Sequence, residues 1–72
     1  MKEGDLMIGT KIRDLRLEKR MTQGELSNLI DVPQNTLSDI EHNRYEPKAS
    51  ALVKYANALN VSVDELLKEV TE

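Results

Sequence analysis

The chain has 72 residues, a formal net charge of −3, no cysteine, tryptophan or phenylalanine, and a single histidine. That length holds one small domain, the lack of thiols excludes a disulfide scaffold and thiolate metal sites, and the lone His42 excludes a multi-histidine site. A hydrophobic fraction of 39% implies a core of Leu, Ile, Val, Met and Ala, while the acidic balance alone argues mildly against a nucleic-acid partner.

Residues 1–6 read as a polar lead-in and residues 7–72 as a single domain. The N-terminus lacks the apolar run of a signal peptide, and no stretch approaches the ~18 apolar residues of a membrane span. A cytoplasmic protein with no membrane contact is the expectation.

The first amphipathic run places Ile8, Ile12, Leu15 and Lys19 on one helical face. Thr22-Gln23-Gly24-Glu25 fits a capping box, in which hydroxyl and carboxylate satisfy each other's backbone N–H. Leu26, Leu29 and Ile30 supply the stripe of a second helix, which Gly24 weakens by roughly 1 kcal/mol relative to alanine. Pro33 suits the start of a third helix, with Leu37 and Ile40 inward and Gln34, Asn35, Thr36, Ser38 and Asp39 on the other face. Asn43 fits a left-handed helix end before the break at Pro47. A fourth helix from about Lys48 to Leu59 carries Leu52, Val53, Tyr55, Ala56 and Leu59. Ser62-Val63-Asp64-Glu65 is a second capping box, opening a last helix with Leu66, Leu67 and Val70. The result is an all-α, five-helix bundle.

The second and third helices, joined by a tight turn, form a helix-turn-helix over about residues 22–42. In such a pair the second helix enters the DNA major groove, so its inner side must be apolar and its outer N-terminal turn polar. Gln34-Asn35-Thr36 meets that demand, because amides can pair with adenine N6 and N7. Taken alone, the same tripeptide also reads as an ordinary solvated helix start.

From Ile8 to Leu67, about 60 of the 72 residues, the sequence resembles the Cro/CI/Xre family of bacterial and phage repressors. The matching segments are Ile8-Gly9-x-x-Ile12-x-x-Leu15-Arg16, Met21-Thr22-Gln23-x-Glu25-Leu26-Ser27 and Val32-x-x-x-Thr36-Leu37-Ser38-x-Ile40-Glu41. Pro47, Leu52, Ala56, Leu59, Val61-Ser62-Val63 and Glu65-Leu66-Leu67 complete the register. The resemblance implies a lambda-repressor-like fold and double-stranded DNA as partner. It implies base reading by Gln34, Asn35, Thr36, Ser38 and Asp39. Thr22, Gln23, Asn43 and Arg44 would contact phosphates, and Arg16 and Glu41 would pair internally. Tyr45 either packs on its loop or offers its hydroxyl to a phosphate. Arg20, Asp31 and Asn43 stand where the family usually has glycine; Asp and Asn tolerate positive φ, whereas Arg20 is expected to carry strain.

Charge distribution answers part of the objection from net acidity. Lys11, Arg13, Arg16, Lys19 and Arg20 face only Asp14 and Glu18 between residues 11 and 20, and the acidic excess lies after Val61. Val61, Val63, Leu67 and Val70 offer more apolar area than a short tail needs internally. The segment 60–70 is therefore a candidate dimer interface, and a homodimer reading a palindromic operator is expected. No cofactor, metal or small-molecule ligand is expected, and an enzyme is disfavoured because His42 lacks a partner at catalytic spacing and the carboxylates are scattered. The competing expectation is a protein-interaction module of the same fold, an antitoxin or anti-regulator.

Overall fold

Amphipathic runs separated by capping and turn residues become helices at nearly the expected places. The computed structural model describes residues 8–44 and 46–68. Within these lie α1 (Ile8–Glu18), α2 (Gln23–Ile30), α3 (Gln34–Glu41), α4 (Ala49–Leu59) and α5 (Val63–Leu67), with no strand. Pro33 sits one residue ahead of α3 as its N-cap rather than inside the first turn.

Helix ends follow from local chemistry. At α2 both halves of the capping box form: the Glu25 amide donates to Thr22 Oγ1 (3.0 Å) and the Thr22 amide to Glu25 Oε1 (2.8 Å). At α5 only half forms. Ser62 accepts from the Glu65 amide, but the Glu65 carboxylate faces Lys11 at 3.5 Å and Lys68 at 3.7 Å. A tertiary ion pair to α1 has displaced the local reciprocal bond. Among the described residues, the non-glycine residues Arg20, Asp31, Asn43 and Asn60 adopt φ of 60–61°. Asp31 and Asn60 close α2 and α4 in the left-handed conformation that short polar side chains tolerate. Arg20 occupies the same region without that ease, so the expected strain is present; the turn at Asn60 has no counterpart in the sequence reading.

Ile12, Leu15, Leu26, Ile30, Leu37, Ile40, Leu52, Tyr55, Ala56, Leu59 and Leu66 form one core. Each large aliphatic side chain removed from water contributes roughly 1.5–3 kcal/mol. α3 packs on α1 and α2, while α4 and α5 close the opposite side. Two apolar residues depart from the expected pattern. Leu29 is 63% exposed and Val53 50% exposed. The buried arc of α2 runs through Leu26, Ser27 and Ile30, and Leu29, three residues after Leu26, lies about 60° outside it. Ser27 takes the inner position because its hydroxyl can donate to the Gly24 carbonyl (3.0 Å).

α1 approaches the C-terminal end of α3 at Gly9. A Cβ there would overlap the Ile40 carbonyl, so only glycine permits this crossing. Asn43 then locks the contact: its Oδ1 accepts from the Gly9 amide (3.0 Å) and its Nδ2 donates to Thr10 Oγ1 (2.9 Å). Among the described residues no helix is long and apolar enough to cross a membrane.

Candidate nucleic-acid interface

The crossing of α2 and α3 is held from beneath by a buried ion pair. Arg16 of α1 donates through Nε to Glu41 Oε2 (2.7 Å) and through Nη2 to Oε1 (3.0 Å), while its Nη1 caps the Met21 carbonyl (2.8 Å). Glu41 is 3% exposed, and a buried carboxylate of this kind is stable only because the guanidinium meets it in a fork. The same Oε1 accepts from Gln23 Nε2 (3.1 Å), and Gln23 Oε1 accepts from Gln34 Nε2 (3.4 Å). A continuous polar chain therefore runs from Arg16 through Glu41 and Gln23 to Gln34.

Gln34 and Asn35 are exposed on the first turn of α3, and Thr36, Ser38 and Asp39 are half-buried along the same helix. The N-cap Pro33 supplies no side-chain cap, so the amides of Gln34 and Asn35 are left without an intrahelical acceptor, as at any helix start. Asn35 Oδ1 accepts from the Thr36 amide (3.0 Å), which leaves its NH2 group as the outward donor. At α2, Thr22 Oγ1 is engaged by Glu25, and the amides of Gln23 and Gly24 point out of the helix N-terminus, where anions are favoured. Gln23 lies next to both helix starts and links them.

Two expected contact residues are tied into the protein itself. The Asn43 side chain is spent on α1, and its amide donates to the Ile40 carbonyl (3.0 Å). Arg44 Nη1 lies 3.1 Å from Asp39 Oδ1, and the Arg44 amide donates to the Asp39 carbonyl (2.9 Å). Residues assigned from sequence to separate roles thus form one pair at the end of α3. Helix periodicity does not reveal it, because Arg44 lies beyond the helix, and the left-handed turn at Asn43 brings it back. Tyr45 and Val70 lie outside the described residues. Val61 and Val63 are partly buried against the core, and Leu67 is 39% exposed.

Of the five bases between residues 11 and 20, Arg16 is consumed by Glu41 and Lys11 by Glu65. Arg13, Lys19 and Arg20 remain exposed. Among the described residues no group of His, Asp and Glu could hold a metal ion.

A tight α2–α3 pair with an apolar inner side and an uncapped, amide-bearing outer turn defines a helix-turn-helix domain. Residues 12–66 match the Helix-turn-helix family, and the chain belongs to it. It is 33% identical over 66 residues to the immunity repressor protein of Bacillus phage phi105, covering 92% of this chain and 46% of that protein. The N-terminal DNA binding domain of SinR from Bacillus subtilis superposes with a TM-score of 0.83 at 38% identity, covering 94% of this chain and 100% of that one. The P22 c2 repressor, in complex with a synthetic operator, gives 0.79 at 32% identity, covering 90% and 97%. The chain spans about half the length of most of the curated relatives it matches. These relatives and structural neighbours are named as repressors and DNA-binding regulators.

Proposed function

We propose that this domain binds double-stranded DNA sequence-specifically and acts as a small transcriptional regulator, a dimeric repressor of a palindromic operator. The observation that carries this is the pair of adjacent helix starts, α2 at Gln23 and α3 at Gln34, joined through their side chains at 3.4 Å. One set of groups suits phosphate and the other a base edge, and they stand side by side. Gln34 and Asn35 read bases first, with Thr36, Ser38 and Asp39 beside them. Thr22, Gln23 and Arg44 meet the backbone, the Gln23 side chain being held in place by its Nε2 bond to Glu41.

One helix of eight residues reads few base pairs, so two copies about 34 Å apart are needed for a long site. Leu67, with Val61 and Val63, supplies the apolar surface for that pairing, for which Val70 is the further candidate from the sequence. Selection of bound duplexes from a random pool, followed by band-shift titration in rising salt, tests the proposal. Palindromic, salt-sensitive binding supports it, and failure to bind any duplex at low salt removes it.

The second reading, a protein-interaction module of the same fold, is favoured by one observation. Arg44, the cation best placed for phosphate, is held by Asp39. That reading predicts no enrichment of any duplex from the pool.

A further inference from the structure

His42, the only histidine, has no part in the ion-pair chain or the core. It follows the last residue of α3, and its Nδ1 lies 2.8 Å from the Ser38 carbonyl. A helical side chain leans toward the N-terminus of its helix, over the preceding turn. The imidazole accordingly covers the Ser38 turn and extends the stripe of Gln34 and Ser38 at intervals of four residues. From Gln34 to His42 the axis advances about 12 Å, which is about the width of the major groove. With Gln34 at the base edges, the ring stands at the groove wall, where the phosphates run.

We infer that His42 is a phosphate contact whose protonation is coupled to DNA binding; this rests on the DNA-binding function proposed above. A carbonyl accepts only from a protonated nitrogen, so Nδ1 carries hydrogen and Nε2 is the bare nitrogen of the neutral ring. Toward a phosphate, bare Nε2 presents a lone pair and is repelled. Protonated, it becomes a charged donor. The ionisable groups on α3 and its loop are Asp39 and Arg44, paired with each other, and Glu41, buried against Arg16. Glu46 and Lys48 are exposed beyond them. On the packed helices, Lys11 of α1 faces Glu65, and Glu25 of α2 holds the Thr22 amide; Arg13, Asp14 and Glu18 are exposed on α1. Among the described residues no ion pair involves His42, so a phosphate is the anion left to meet the imidazolium. Histidine is the side chain type whose charge ordinarily changes between pH 5 and 8, which sets the range over which to test the coupling.

The test is duplex affinity from pH 6 to pH 8 at constant salt, on a duplex selected from a random pool at pH 6. Wild-type affinity is expected to fall about tenfold over that range, the cost of one charge-assisted contact. His42→Gln is expected to be flat and His42→Lys to keep the pH 6 affinity at pH 8, both with native melting temperatures. A pH slope unchanged in His42→Gln overturns the inference and leaves the DNA-binding function standing. Failure of the wild type to bind any selected duplex overturns both.

Discussion

Arg16 and Glu41, 25 residues apart in the chain, are joined by two buried hydrogen bonds of 2.7 and 3.0 Å. The pair does more than tie α1 to α3. Glu41 Oε1 also accepts from Gln23, so the carboxylate that neutralises Arg16 orients the amide standing between the two helix starts. Removing one partner leaves the other charged in a dry site, at a cost of about 3–5 kcal/mol. Glu41→Ala is therefore expected to lower the unfolding free energy measured in urea by that much, whereas Arg16→Met with Glu41→Leu recovers most of the stability. The double variant should still bind DNA more weakly, because Gln23 has lost its anchor.

The four left-handed residues separate by side chain. Arg20→Gly relieves a conformation that costs an ordinary L-residue roughly 1–2 kcal/mol, less the added entropy of the unfolded chain. A gain of about 0.5–1 kcal/mol is expected, a few degrees in Tm for a domain of this size. Asn43→Gly relieves the same φ but deletes the bonds to Gly9 and Thr10, so it is expected to destabilise. Thermal melts of the two variants moving in the same direction would contradict this account.

Gly9→Ala puts a methyl group into the Ile40 carbonyl. Backbone cannot rotate away as a side chain can, so α1 must shift off α3, at a cost of about 1–3 kcal/mol. Chemical denaturation measures the loss, and an unchanged midpoint would mean that α1 and α3 cross less closely.

Gln34→Ala is expected to cost ~1–3 kcal/mol at one base pair and to relax specificity there. Arg44→Ala should weaken all duplexes alike and reduce the salt slope by about one. Because Asp39 holds Arg44, Asp39→Asn frees a cation and removes an anion, and it should strengthen binding to unrelated duplexes. Titrations on the selected site and on scrambled DNA separate the three.

If the C-terminal segment pairs two copies, Leu67→Asp shifts the sedimenting species toward 8.2 kDa while the melt of the monomer changes little, since Leu67 is already exposed. A wild type that sediments only as monomer at tens of micromolar would argue against the interface.

The helices, the α2 capping box and the inward Leu37 and Ile40 were legible in the sequence, because each depends on residues within one or two turns of each other. The amide-bearing start of α3 was legible for the same reason. Leu29 was misplaced because the buried arc of an eight-residue helix is set by its neighbours, and Ser27 fits that arc by bonding its own backbone.

Composition, helix periodicity and capping thus determined by themselves an all-α chain with a polar outer turn on its third helix. A net charge of −3 did not describe that turn, since the acids gather near the C-terminus and two of the first helix's bases are paired internally. Only the tertiary structure decided which polar residues remain outward. Glu65 leaves its cap for Lys11, Asn43 turns to α1, and Arg44 returns to Asp39. Hydrogen-bonding groups on separate helices choose partners by proximity in space, and spacing along one helix carries no record of that choice.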